Sequence, residues 1–363
     1  MKERNLGIDF LRTLSMLMVL VLHILGQGGI LETVVPLSAK YNIAWLLEIA
    51  AYCAVNCYVL ITGYVSVKST FRYSRIFILW LQVLFYTLLI TIGFTIFKPG
   101  TIGTAAFINA LLPVIKNQYW YFTSYFGLFF LIPFLNILVR TLDKRSFKLL
   151  VITLFTLFSI IPTITSIDIF RIYGGYSLIW LVVLYFIGAY IKLYGLGKER
   201  KRAFYIIWYF ASIGCVWLSK LILTYWGYNG NVLIDYTSPF IVSSAVSLLV
   251  LFSGMNITKR IPRILIRFFA PAAFSVYLIH AHPLMWNRVM HLRFAGLVSF
   301  GTLAFAASVL AVAAVVFIAC SLVDHLRIAL FKILRVSSLA EKLEAKIQKT
   351  LLEPFADIHI HHK

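Results

Sequence analysis

Apolar runs of about 20 residues recur along the whole chain, and each is long enough to cross roughly 30 Å of hydrocarbon as an α-helix. A soluble fold is excluded by the same feature. Of the 363 residues 61% are hydrophobic and 13% charged, and the mean hydropathy is +0.90. A soluble domain needs polar residues to cover its outside, and here they are too few. The runs predict an all-α polytopic membrane protein with ten spans, at roughly 8–27, 42–67, 76–97, 118–140, 147–167, 176–195, 203–226, 234–255, 266–287 and 294–323. The apolar stretch 102–115 is too short to span and is expected to be re-entrant or interfacial. The first run carries Asp9, Arg12 and His23 and lacks a small-residue cleavage site, so it reads as a span and not as a signal peptide.

Charge sets the orientation. With the N-terminus in the cytoplasm, one side holds Lys2, Arg4 and Arg12, then Lys68, Arg72 and Arg75, then Arg140, Lys144, Arg145 and Lys148. The same side continues with Lys192, Lys198, Arg200, Lys201 and Arg202, then Lys259, Arg260, Arg263 and Arg267, nineteen basic residues in all. The other side holds six: Lys40, Lys98, Lys116, Arg171, Arg288 and Arg293. This positive-inside alternation predicts an even number of spans and cytoplasmic termini, and the expected location is the plasma membrane. The net charge of +20 therefore serves topology and contact with the lipid bilayer, and no nucleic-acid partner is expected. Residues 1–323 are expected to form the membrane domain and 324–363 a cytoplasmic amphipathic helix and tail. In that helix Leu339, Leu343, Ile347 and Leu351 recur at a spacing of four, with Lys342, Lys346 and Lys349 between them, a pattern suited to an anionic leaflet. The terminal His359, His361 and His362 read as a tail and not as a metal site. Cys53, Cys57, Cys215 and Cys320 all fall in apolar runs. With no further ligands beside the pair Cys53 and Cys57, they read as small buried hydrophobes, and no metal is expected.

Ionisable groups inside a membrane are costly and mark function. Asp9, Arg12 and His23 share one stripe roughly 60° wide on the first span, with His23 roughly 16 Å farther along the helix than Arg12. The span directions bring Glu48, Lys220, His280 and His282 to a similar depth, in the outer half, where they are candidates to surround one cavity. At the cytoplasmic mouth, Arg72 and Arg75 stand one turn apart if helical. Beside Lys68 they are either an orientation signal or a clamp for phosphates, which guanidinium groups bind in bidentate fashion. A solute carrier using Arg12, Glu48 and His23 as an ion relay is the competing reading, weakened by the lack of an internal repeat.

The motifs add a resemblance. Ile8-Asp9-Phe10-Leu11-Arg12, followed after ten residues by His23, resembles the opening of the acyltransferase family 3 membrane proteins. Tyr58-Val59-Leu60-Ile61-Thr62-Gly63-Tyr64 is similar to the family's "LSGF" segment, with Thr62 where serine is usual. Arg72-Tyr73-Ser74-Arg75 fits its Arg-x-x-Arg element, Trp120-Tyr121-Phe122 with Pro133 its fourth-span pattern, and Ser275-Val276-Tyr277-Leu278-Ile279-His280 its late "YLIH" segment. The resemblance implies transfer of an acyl group, commonly acetyl from acetyl-CoA, to a hydroxyl of a cell-surface polysaccharide or its lipid-linked precursor. No bound cofactor is implied, only acyl-CoA as co-substrate. Many members carry an SGNH-type domain, which is not seen here, so the membrane domain would complete the transfer alone.

On that reading Arg12, Lys68, Arg72 and Arg75 would bind the donor's phosphates, and His23 would act as general base, an imidazole being suited to proton transfer near neutral pH. Glu48 would orient His23. His280 or Lys220 would hold the oxyanion or the sugar, with Trp120, Tyr277 and His282 as further acceptor or oxyanion candidates. Direct transfer and a covalent acyl-His23 intermediate are both compatible with these residues, as are acetyl and longer acyl groups. No oligomeric state is read from the sequence.

Overall fold

The computed structural model of the protein describes residues 5–196, 200–347 and 349, all helix and connection with no strand among them. Lys2, Arg4, Lys198, Leu351, His359, His361 and His362 of the sequence reading lie outside the described residues. Ten apolar helices form the bundle. They are α1 (Leu6–Leu25), α2 (Ala39–Ser66), α3 (Tyr73–Phe97), α4 (Trp120–Thr141), α5 (Lys144–Thr165), α6 (Leu178–Tyr194), α7 (Arg202–Tyr225), α8 (Pro239–Ser253), α9 (Arg260–His280) and α10 (Thr302–Ile333). Eight are long and apolar enough to cross a membrane. The 17-residue α6 and 15-residue α8 are shorter, reaching about 25 and 22 Å at 1.5 Å per residue. Their burial explains this: both are packed largely by other helices, so lipid thickness does not set their length. The stretch 102–115 holds only the eight-residue helix Thr104–Leu111, tied to α3 by Thr87 Oγ1 donating to the carbonyl of Ala110 at 2.7 Å.

Local chemistry sets the ends. The Asn5 side chain accepts the Ile8 N–H at 3.1 Å to open α1, Ser38 accepts that of Tyr41 at 3.2 Å to open α2, and Asp143 accepts that of Ser146 at 2.9 Å to open α5. In α2 the helix is interrupted at Cys53, and in α5 a π-helical turn (Thr156–Ile160) precedes Pro162, whose missing N–H cannot continue the regular ladder. The centre is built by α1, α2, α6 and α8. The second half of α2 lies directly on α6 because two glycines face backbone: a Cβ on Gly63 would collide with the Tyr185 carbonyl and one on Gly188 with that of Leu60. Around this core, Phe134, Ile207, Ile261 and Leu303 remain exposed, as a lipid-facing shell requires.

The C-terminal part differs in register from the expectation. The last span does not end at 323: α10 continues through Asp324 to Ile333. A charge normally marks a membrane end, but Asp324 is fully satisfied. Arg327 grips it through Nε and Nη2 at 2.8 Å each, Tyr86 donates to it at 2.7 Å, and the Ser275 hydroxyl donates to the same oxygen. This knot ties α3, α9 and α10 together. The chain then breaks at Arg335, in the left-handed region at φ 52°, and the amphipathic helix α11 (Val336–Ile347) begins. On α11, Leu339, Leu343 and Ile347 stay largely exposed on the apolar stripe, and its acidic residues dock on α3. Glu344 accepts the Tyr73 N–H at 2.6 Å and the Ser74 N–H at 3.2 Å, and Glu341 lies 3.5 Å from Arg72. A carboxylate on the positive end of α3 satisfies N–H groups that no helical carbonyl reaches.

Candidate active site

The stripe on α1 meets α9 through two imidazoles. His23 Nδ1 lies 2.7 Å from His280 Nε2, and His280 Nδ1 lies 2.5 Å from the Val276 carbonyl one turn back in α9. A carbonyl only accepts, so His280 Nδ1 carries a proton. In a neutral ring its Nε2 is then an acceptor, which makes His23 Nδ1 the donor between the rings. The consequence is chemical: His23 Nε2 is left with a free lone pair. Trp286 packs edge-on against His23, ring centroids 4.6 Å apart, and fixes the imidazole from another side.

His23 stands where two cavities meet. The inner one is small, about 40 Å³, and mostly apolar, with Met16, Val19, Val55 and Phe274 in its wall. Met16 is seven residues before His23, so this space runs about 10 Å along α1 toward the end of the bundle that bears Arg12. The outer cavity, about 500 Å³, is wider and more polar, with Gln27, Glu48, Gln118 and Asn287 in its wall. Trp120, Tyr236 and Tyr277 border both. The segment after α9 closes over the end of α1, where Leu292 and Phe294 donate backbone hydrogen bonds to Gln27 and Gly28.

The candidates of the sequence reading are distributed as follows. His23, Glu48, Trp120 and Tyr277 line the outer cavity, while His280 sits behind His23 and lines neither space. The partner of His23 is thus His280, the place foreseen for Glu48. The Glu48 carboxyl lies in the wall of the same cavity, which Tyr52, Tyr176 and Tyr236 also line. Lys220 is turned elsewhere: its ammonium lies 3.8 Å from the Trp45 ring centroid and donates to Asn231 at 2.7 Å. His282 stands behind the cavity wall and does not line it: its Nε2 lies 3.1 Å from Gln118 Nε2, and its Nδ1 accepts the Leu284 N–H at 3.2 Å as a helix cap. At the basic end, Arg12 pairs with Asp9 at 3.1 Å, and Lys68, Arg72 and Arg75 are exposed. Arg72 is not helical, as one-turn spacing presumed, but extended at φ −141° just before α3. Tyr52, Tyr176, Tyr236 and Trp286 were missed, because tyrosine and tryptophan near span ends read as interfacial anchors. Among the described residues no group of three His, Cys, Asp or Glu side chains is arranged to hold a metal ion.

No curated protein and no solved structure matches the chain. The acyltransferase domain family does, over residues 5–323, which takes in α1 through most of α10 and every residue of the two cavities. A basic residue and a histidine on one stripe of the first span, with the histidine at a junction of two cavities, are therefore features of a member of acyltransferase family 3, the family to which this protein belongs.

Proposed function

We propose that this membrane acyltransferase takes an acyl group, acetyl in the simplest case, from cytoplasmic acyl-CoA and places it on a hydroxyl of an extracytoplasmic or lipid-linked glycan. The observation that carries this reading is the position of His23, between a small apolar cavity on the side of the basic end and a wider, more polar cavity beyond. With the termini in the cytoplasm, donor phosphates would meet Arg72, Arg75 and Lys68, with Arg12 deeper. The thin pantetheine arm would then follow the line of the inner cavity, which must widen to admit it. The acceptor would sit in the outer one.

The chemistry follows from the tautomers. His23 Nε2 takes the proton of the acceptor hydroxyl as that oxygen attacks the thioester carbonyl. The tetrahedral intermediate then collapses, the C–S bond breaks, and the imidazolium returns the proton to the departing thiolate, leaving an ester and free CoA. His280 keeps the His23 proton on Nδ1, so that Nε2 faces the reaction as a base. Trp120 and Tyr277, at the meeting of the two cavities, are the donors placed to stabilise the oxyanion.

The test is transfer of labelled acetyl from acetyl-CoA to cell-surface glycan by the protein in vesicles. His23→Ala is expected to abolish transfer while inserting normally, and Arg72→Ala to raise the KM for the donor with little change in kcat. Full activity of the His23→Ala protein refutes the mechanism.

A further inference from the structure

The outer cavity has a feature that acyl transfer does not require. One oxygen of Glu48, Oε2, is buried without a hydrogen-bond partner, on a residue only 8% exposed. The carboxyl group lies in the wall of the cavity beside a run of rings. Trp120 and Tyr176 centroids are 4.4 Å apart, Tyr176 and Tyr236 5.1 Å, and Tyr52 and Tyr236 4.9 Å. An unsatisfied buried oxygen is costly, and a hydroxyl donated by a ligand would offset that cost. Aromatic faces present apolar area for the C–H face of a pyranose while leaving its equatorial hydroxyls free.

The charges present are equally informative. No Lys or Arg lines the cavity among the described residues. Lys220 is held on Trp45 and Asn231, and Arg288 is committed to Thr101 through its hydroxyl and its carbonyl, both at 3.0 Å. A carboxylate or phosphate on the bound sugar unit would be buried beside the Glu48 carboxylate with no counterion, so that two like charges would share a water-poor site.

We infer that Glu48 and its aromatic wall select an acceptor unit that carries hydroxyls and no anionic group. Neutral pyranoses are taken and uronic acids or sugar phosphates are refused. This rests on the outer cavity being the acceptor site, and it adds the substrate class to that reading.

Binding without any acyl donor tests the inference separately from transfer. Saturation-transfer NMR on the full chain in nanodiscs compares methyl β-D-glucoside, galactoside and mannoside with the matching methyl uronides, which differ only in the oxidation state of C6. The neutral member is expected to bind about tenfold more tightly in at least one pair, the equivalent of about 1.4 kcal/mol. Glu48→Gln, which keeps shape and removes the carboxylate, is expected to bring that pair within about threefold of each other. Should the Gln variant fail to insert, Glu48→Asp, with the carboxylate withdrawn by one methylene, is expected to weaken binding of the neutral sugar. Equal affinities in every pair, no binding of any neutral sugar, or a preference that both variants leave intact overturns the inference, whether or not the protein transfers acyl groups.

Discussion

Removing the His280 imidazole is the sharpest probe of the His23 mechanism, because His280 is buried behind the reacting ring and lines neither cavity. In His280→Ala the His23 Nδ1–H loses its acceptor at 2.7 Å. Two things follow. A buried donor is left unsatisfied at a cost of about 1–3 kcal/mol, and nothing then holds the proton on Nδ1, so part of the population carries it on the nitrogen that must act as base. Where that cost falls on the transition state, in which the His23 imidazolium needs its acceptor most, it lowers kcat about 5- to 160-fold at about 1.36 kcal/mol per decade. The whole contribution of a general base is typically about 10²–10⁴-fold, so His23→Ala must be at least as damaging as His280→Ala. Since His280 acts only through His23, the double variant is expected to be no slower than His23→Ala, a strongly non-additive cycle. His280→Gln, whose amide oxygen can reach the place of Nε2, is expected to recover part of the loss, whereas Asn is too short to do so. The assay is single-turnover transfer of labelled acetyl in vesicles, with KM for donor and acceptor measured for each variant. Wild-type kcat in His280→Ala, or single effects that multiply in the double variant, would refute the relay.

Four further outcomes are expected. Glu344→Ala frees the Tyr73 and Ser74 amides and removes an N-terminal cap worth about 1 kcal/mol, so hydrogen exchange at the start of α3 should speed up severalfold. Partial burial raises the Glu344 pKa, but hydrogen bonds from Ser74 and Tyr73 and the charge of Arg72 outweigh this and hold it below the ordinary carboxylate range. A depressed carboxylate stabilises above its unfolded pKa, so α11 docking should weaken only as pH falls through that lowered range, read as faster proteolysis after Arg335 in acid. Gly63→Ala forces a Cβ into the Tyr185 carbonyl and should cost about 1–3 kcal/mol, seen as a lower Tm in detergent, while Gly93→Ala, with open space around it, should not. Arg327→Met leaves Asp324 buried and uncompensated and should cost about 3–5 kcal/mol, whereas replacing the pair together by apolar residues should be much milder, a difference readable in the same melting assay.

The span pattern was legible because hydrocarbon thickness imposes one length scale on every lipid-facing helix. Departures occur where another partner replaces lipid or water. Residues 324–333 read as the start of a cytoplasmic helix because Asp324 and Arg327 are charged, yet the two cancel each other inside the bundle and the span runs on. The 15 residues of α8 are too few for a bilayer, but neighbours bury it, so thickness does not apply. The acidic residues of α11 carried no signal beside its lysines, since a cap on the start of α3, about 270 positions away, leaves no local trace.

For the site, sequence supplied depth but not azimuth. Topology and a rise of 1.5 Å per residue placed His23, Glu48, Lys220 and His280 in one layer, and that information is one-dimensional. Which way each helix turns is decided by packing. Trp45 and Asn231 draw Lys220 away from the cavity, Gln118 and the cap on Leu284 hold His282 behind the cavity wall, and the 2.7 Å contact draws His280 behind His23 and not into open space. Only α1 carried azimuth in its own sequence, because Asp9, Arg12 and His23 lie on a single helix, where spacing gives relative angle directly. For that reason the histidine at the cavity junction could be singled out from the sequence, while its partner imidazole could be named but not given its position.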